Sequence, residues 1–101
     1  MRERTKTFKV FEGSTKTLKY DIVNADGVRL PATNVQAKLY DSNMNYLAEL
    51  YVSKLADGEY AITIDTTLYG LEEGMYIVEF SCIAENHSYV RRDYIAVSKF
   101  V

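Results

Sequence analysis

A chain of 101 residues, 48% hydrophobic and 26% charged, holds material for one hydrophobic core and is too apolar to remain unfolded. Its formal net charge of -2 excludes the basic footprint that a nucleic-acid-binding domain usually carries. A single cysteine excludes an internal disulfide, and no run approaches the ~18 apolar residues of a membrane-spanning helix. With no apolar leader at the start, the expectation is one soluble domain over residues 1–101, made in a reducing cytoplasm.

Taken in chain order, the hydrophobic period is two almost throughout, the mark of half-buried strands. Residues 5–11 alternate, with Phe8 and Val10 on one face, and Glu12-Gly13-Ser14 breaks the run. Residues 15–22 resume it, with Leu18, Tyr20 and Ile22 inward and Thr17, Lys19 and Asp21 outward. Asn24-Ala25-Asp26-Gly27 is a turn, and Leu30-Pro31 an irregular crossing. Residues 34–41 carry Val35, Ala37 and Leu39 on one side, and residues 46–53 form the next strand after a polar loop. Asp57-Gly58 opens residues 59–65, with Tyr60, Ile62 and Ile64 in phase. Residues 66–74 lose the alternation and read as a crossing between sheets. Residues 75–84 and 89–101 form the last pair around a turn at Glu85-Asn86-His87-Ser88. Short strands with turn signals between them predict an all-β, immunoglobulin-like antiparallel sandwich of about seven strands. Its expected core is Leu18, Tyr20, Leu39, Tyr60, Ile62, Ile64, Tyr76, Val78, Phe80, Ile95 and Val97.

Leu71-Glu72-Glu73-Gly74-Met75-Tyr76 is the most informative stretch. In immunoglobulin-like domains, a tyrosine near the start of the penultimate strand turns its hydroxyl back onto upstream backbone and pins the corner between sheets. Tyr76 stands at that place, with Gly74 before it to bend the chain, so its hydroxyl is expected to bond between residues 68 and 73.

The segments Leu18-Lys19-Tyr20-Asp21-Ile22, Ala25-Asp26-Gly27, Leu30-Pro31-Ala32-Thr33 and Val35-Gln36-Ala37-Lys38-Leu39 come in a telling order. Asp57-Gly58-Glu59-Tyr60, Glu73-Gly74-Met75-Tyr76-Ile77-Val78-Glu79-Phe80 and Ile95-Ala96-Val97 complete it. Over about 90 residues the chain resembles the immunoglobulin-like domains of tailed-phage virion structural proteins, especially the amino-terminal domain of phage baseplate upper proteins. It differs from antibody-type domains in having no tryptophan and no cysteine pair. It ends without the stalk or receptor-binding region of a baseplate protein. The resemblance implies a non-enzymatic docking component (decoration, neck, tail or baseplate) made in the host bacterial cytoplasm and carried in the virion. Its implied partners are other virion proteins and copies of itself, with neither nucleic acid nor membrane. A carbohydrate- or cell-surface-binding module is the alternative, with Tyr40, Tyr46, Tyr51 and Tyr69 as a sugar platform.

Catalytic chemistry finds little support. Cys82 is in phase with Tyr76, Val78 and Phe80, hence a small core hydrophobe, and His87 lies in the following turn, out of reach for a dyad. One cysteine and one histidine do not make a zinc site. Asp21, Asp26, Asp57 and Glu59 lack calcium-loop spacing. The isolated glycines do not form a phosphate loop. No catalytic, cofactor or metal residue is therefore assigned. Asn86-His87-Ser88 matches the glycosylation acceptor pattern but reads as a polar turn. Arg91-Arg92 places one cation on each face, with Glu79 a partner across the hairpin. Residues 75–84 are apolar on both faces, which asks for a second cover over Met75, Ile77 and Ile83. Either residues 68–71 lie over them, or they form a partner-binding patch with Tyr89 or Val90, extended by Phe100.

Overall fold

The computed structural model describes residues 5–99, which form a sandwich of eight strands without a helix. They are β1 (Thr7–Phe11), β2 (Thr15–Asp21), β3 (Thr33–Asp41), β4 (Tyr46–Leu50), β5 (Val52–Ala56), β6 (Glu59–Asp65), β7 (Gly74–Ala84) and β8 (His87–Ser98). The large sheet has the order β1-β8-β7-β3-β4 and the small sheet β2-β6-β5. Every pairing is antiparallel except one: β1 runs parallel to β8, from Thr7 beside Tyr94 to Phe11 beside Ser98. That pair departs from the all-antiparallel expectation. It follows from β1 and β2 sitting in different sheets, so that the turn at 12–14 carries the chain across the sandwich and does not close a hairpin.

Alternation places the core as expected. Leu18, Leu39, Ile62, Ile64, Val78 and Ile95 are almost wholly buried, and Tyr20, Tyr60, Phe80 and Val97 join them. Tyr76 is only half-buried and packs on the core from its rim. The crossing at 66–73 sends Leu71 into the core and leaves Leu68 exposed, so it does not lie over the outer face of the large sheet. Buried Thr66 fastens this crossing to the first turn: its hydroxyl donates to the Ser14 carbonyl at 2.7 Å and accepts from the Gly13 N–H at 2.9 Å.

Two boundaries differ from the sequence expectation. Residues 46–53 are not one strand. β4 belongs to the large sheet and β5 to the small one, and exposed Tyr51 marks the step between them. The last turn is tighter than four residues: Glu85 and Asn86, at φ 50° and 63°, make a two-residue hairpin loop, and His87 and Ser88 pair within the ladder.

The corner forms as the motif predicts. The Tyr76 hydroxyl donates to the Glu72 carbonyl at 2.9 Å and accepts from the Glu72 N–H at 3.1 Å. Gly58 has a different duty. At φ 74° it lies in the left-handed region, and a Cβ there would sit 2.8 Å from the Leu30 carbonyl oxygen. Its own carbonyl accepts from the Ile22 N–H at 2.8 Å.

Tyr76→Phe is expected to cost about 1 kcal/mol and to lower Tm by about 4–8 °C, read by thermal melting. Gly58→Ala should destabilise by about 2–4 kcal/mol, against about 1 kcal/mol for Gly27→Ala, because Gly27 shares the positive φ but has open space around it. Equal losses in paired denaturant titrations would contradict the backbone clash at Gly58.

Candidate functional site

The outer face of the large sheet is built in rows, because residues paired across strands share a side of the pleat. One row runs Tyr94 on β8, Ile77 on β7, Tyr40 on β3 and Tyr46 on β4. A register shift between Leu39 and Tyr40 brings Tyr46 opposite Tyr40, and their rings meet edge to face with centroids 5.9 Å apart. The neighbouring row is ionic and alternates in sign: Arg92, Glu79, Lys38, Glu49. Arg92 Nε donates to Glu79 Oε2 at 2.8 Å, so Glu79 takes the outward arginine across the hairpin and not the half-inward one for which it was expected.

The patch nominated from sequence is only partly brought together. Met75 is 42% exposed beside the tyrosine row, whereas Ile77, at 8%, is already buried between its neighbours Tyr40 and Tyr94. Ile83 is half-buried and lies eight residues further along, about 26 Å from Met75 at the usual rise per residue. Tyr89 shares the inward side of β8 with Arg91 and Asp93, while Val90 is outward opposite Ser81, so these two do not join one surface. Phe100 lies outside the described residues. The exposed residues in and beside this row are therefore Met75, Tyr94 and Tyr46, with Ile77 and half-buried Tyr40 between the two tyrosines, and of the three only Met75 belongs to the patch expected from sequence.

On the inner side of β8 lies a carboxylate that the sequence pattern alone does not mark as a site. Asp93 is 1% exposed. It accepts from the Tyr20 hydroxyl at 2.8 Å, the Lys6 backbone N–H at 2.8 Å and Arg91 Nε at 2.9 Å. Arg91, the half-inward cation, thus pairs two residues along its own strand and not with Glu79. Tyr20 stacks on Phe80 with ring centroids 4.7 Å apart. Burial, and after it the hydrogen bond and charge of Asp93, hold the Tyr20 phenol far above its ordinary pKa. The signal available in the sequence was Asp93 in phase with Ile95 and Val97, an acid at a core address. Beside this group lies a cleft of about 480 Å³ lined by Val23, Phe80, Cys82, Tyr89 and Arg91 among others.

The remaining candidates are scattered. Cys82 is 3% exposed, and burial pushes its thiol pKa up; Tyr89 is its cross-strand neighbour, with His87 opposite Ala84. Arg29 stands 3.5 Å from both Asp21 and Glu59, and Lys54 is 2.9 Å from Asp57. Among the described residues, no group of three or more His, Cys, Asp or Glu is placed to hold a metal ion. The four platform tyrosines divide. Tyr40 and Tyr46 share the outer face, while Tyr51 and Tyr69 line a separate cleft with Gln36 and Glu49 where the chain changes sheets.

No family model and no curated protein matches this chain. Among solved structures it is similar to a DUF4785 family protein from Legionella pneumophila, with a TM-score of 0.63 and 16% identity over 94% of this chain and 27% of that one. It is also similar to the twitchin kinase region from C. elegans that runs from Fn31 to Ig26, with a TM-score of 0.53 and 12% identity over 93% of this chain and 15% of that one. The chain thus spans about a quarter or less of these neighbours' lengths, and the likeness is one of fold: an immunoglobulin-like β-sandwich.

Raising pH should weaken the fold through Tyr20. Its folded pKa is above the unfolded one, so the proton it retains contributes stability that is fully present below about pH 10 and is lost as pH rises beyond it. Tyr20→Phe should flatten stability measured by denaturant unfolding between about pH 10 and 12. An unchanged slope in that variant would contradict the assignment.

Proposed function

We propose that the domain is a non-enzymatic docking module that works by protein–protein contact through the outer face of its large sheet, as a structural component of a phage or prophage virion. The observation that carries the docking reading is the exposed group Tyr46, Met75 and Tyr94, at 57%, 42% and 42%, around already buried Ile77. Methionine and tyrosine are enriched in protein interfaces, and a row packed before binding has less side-chain freedom left to lose. The virion reading rests on the order of segments from Leu18-Lys19-Tyr20-Asp21-Ile22 to Ile95-Ala96-Val97. A second reading, a sugar-binding module, draws on Tyr51, which is 76% exposed at the cleft with Tyr69, Gln36 and Glu49.

Particles purified from a host that expresses the gene should contain the chain at a fixed ratio to the major structural protein, read by quantitative mass spectrometry. Tyr94→Glu should reduce incorporation at least tenfold with the fold intact by circular dichroism. Absence of the chain from such particles would overturn the virion reading. Glycan-array binding that Tyr51→Ala removes would favour the sugar module.

A further inference from the structure

The ionic row, which pairs opposite charges across the strands of one copy, has a second geometric property. Read across four strands it is Arg92, Glu79, Lys38, Glu49, an even number of charges in strict alternation. Reversed, it becomes its own complement. A two-fold axis parallel to the strands, between β7 and β3, sets Arg92 of one copy against Glu49 of the other and Glu79 against Lys38. The same operation sets Tyr94 against Tyr46 and Ile77 against Tyr40. It also sets Ser81 against Gln36, which are cross-strand neighbours in the next row. An axis along the row would instead stack each charge on itself, Arg92 on Arg92, and is excluded by repulsion.

We propose that this face pairs with the same face of a second copy about that strand-parallel two-fold axis. The proposal rests on the docking reading of the face, but not on residence in a virion. A two-fold interface uses one patch twice, so the patch has to be self-complementary, and aligned sheets pack with strand directions within about 30°. The flat footprint of four strands and three rows is on the order of 400 Å² per copy. That is below the ~800 Å² per partner of a standard interface, so the dimer is weak in free solution. Such a contact serves an assembly in which other contacts already hold copies close together.

Charge reversal tests both the partner and the axis. In sedimentation velocity over a concentration series up to about 1 mM, the wild-type chain should pass from monomer to dimer. Glu49→Arg alone and Arg92→Glu alone should each weaken dimerisation at least tenfold. An equimolar mixture of the two should restore it, because every Arg then meets a Glu across the axis. A wild-type chain that stays monomeric, single variants that dimerise like wild type, or a mixture that stays monomeric would each overturn the proposal. If Arg92→Glu fails to fold by circular dichroism, cross-linking decides. Tyr46→Cys mixed with Tyr94→Cys should join through a short bis-maleimide, and neither variant alone should, since identical residues lie about 14 Å apart across the strands in addition to the sheet spacing. Cys82 is buried and does not compete. Loss of the dimer with particle incorporation intact would leave the docking reading standing with a different partner.

Discussion

A carboxylate taken out of water needs strong partners, and Asp93 gathers them from three parts of the chain. Tyr20 reaches to it from the small sheet, the Lys6 N–H comes from the backbone ahead of β1, and Arg91 closes on it from the same strand. The desolvation of such a charge costs several kcal/mol, which only a set of charge-assisted bonds offsets. The group therefore constrains more than itself. It fixes the spacing of the two sheets where Tyr20 crosses between them, and it anchors the start of β1, whose ladder on β8 begins at Thr7 beside Tyr94. The stack of Tyr20 on Phe80 then connects this polar group to the apolar core without a gap.

The division into five strands and three decides where recognition is possible. Three strands cover the inner face of the large sheet, and the 66–73 crossing turns Leu71 into the core and leaves Leu68 exposed. A sheet face left to water is normally polar, and here one row is. The adjoining row carries Tyr94, Ile77, Tyr40 and Tyr46, with buried Ile77 between the two tyrosines that pair with it.

Much of this was legible in the sequence. The period-two pattern located the core because a pleat has only two sides, and Gly74-Met75-Tyr76 located the corner because its bond is local. Long-range pairing was not legible. Alternation runs unbroken through Leu50, Tyr51 and Val52, so nothing in it marks the transfer from one sheet to the other. Asp93 interrupts the apolar phase of β8, and no local pattern marks its partners, which lie 73 and 87 residues away at Tyr20 and Lys6. Met75, Ile77 and Ile83 share a face by alternation, although strand length separates the first from the last. The tyrosine row depends on which strands are neighbours, and the register of β3 with β4, shifted at Leu39 and Tyr40, is not written in either strand alone.

The parallel ladder of β1 on β8 also governs how the domain would bear mechanical load. Parallel strands place Thr7 and Ser98 at opposite ends of their shared ladder, in a molecule 44 Å long and about half as wide. Tension applied at those two residues pulls β1 and β8 along their length in opposite directions. All the rungs from Thr7 to Phe11 are then strained together in shear, whereas an antiparallel terminal pair would peel open one bond at a time. Under tension at those two residues, rupture of the first strand has to break its hydrogen bonds as a set.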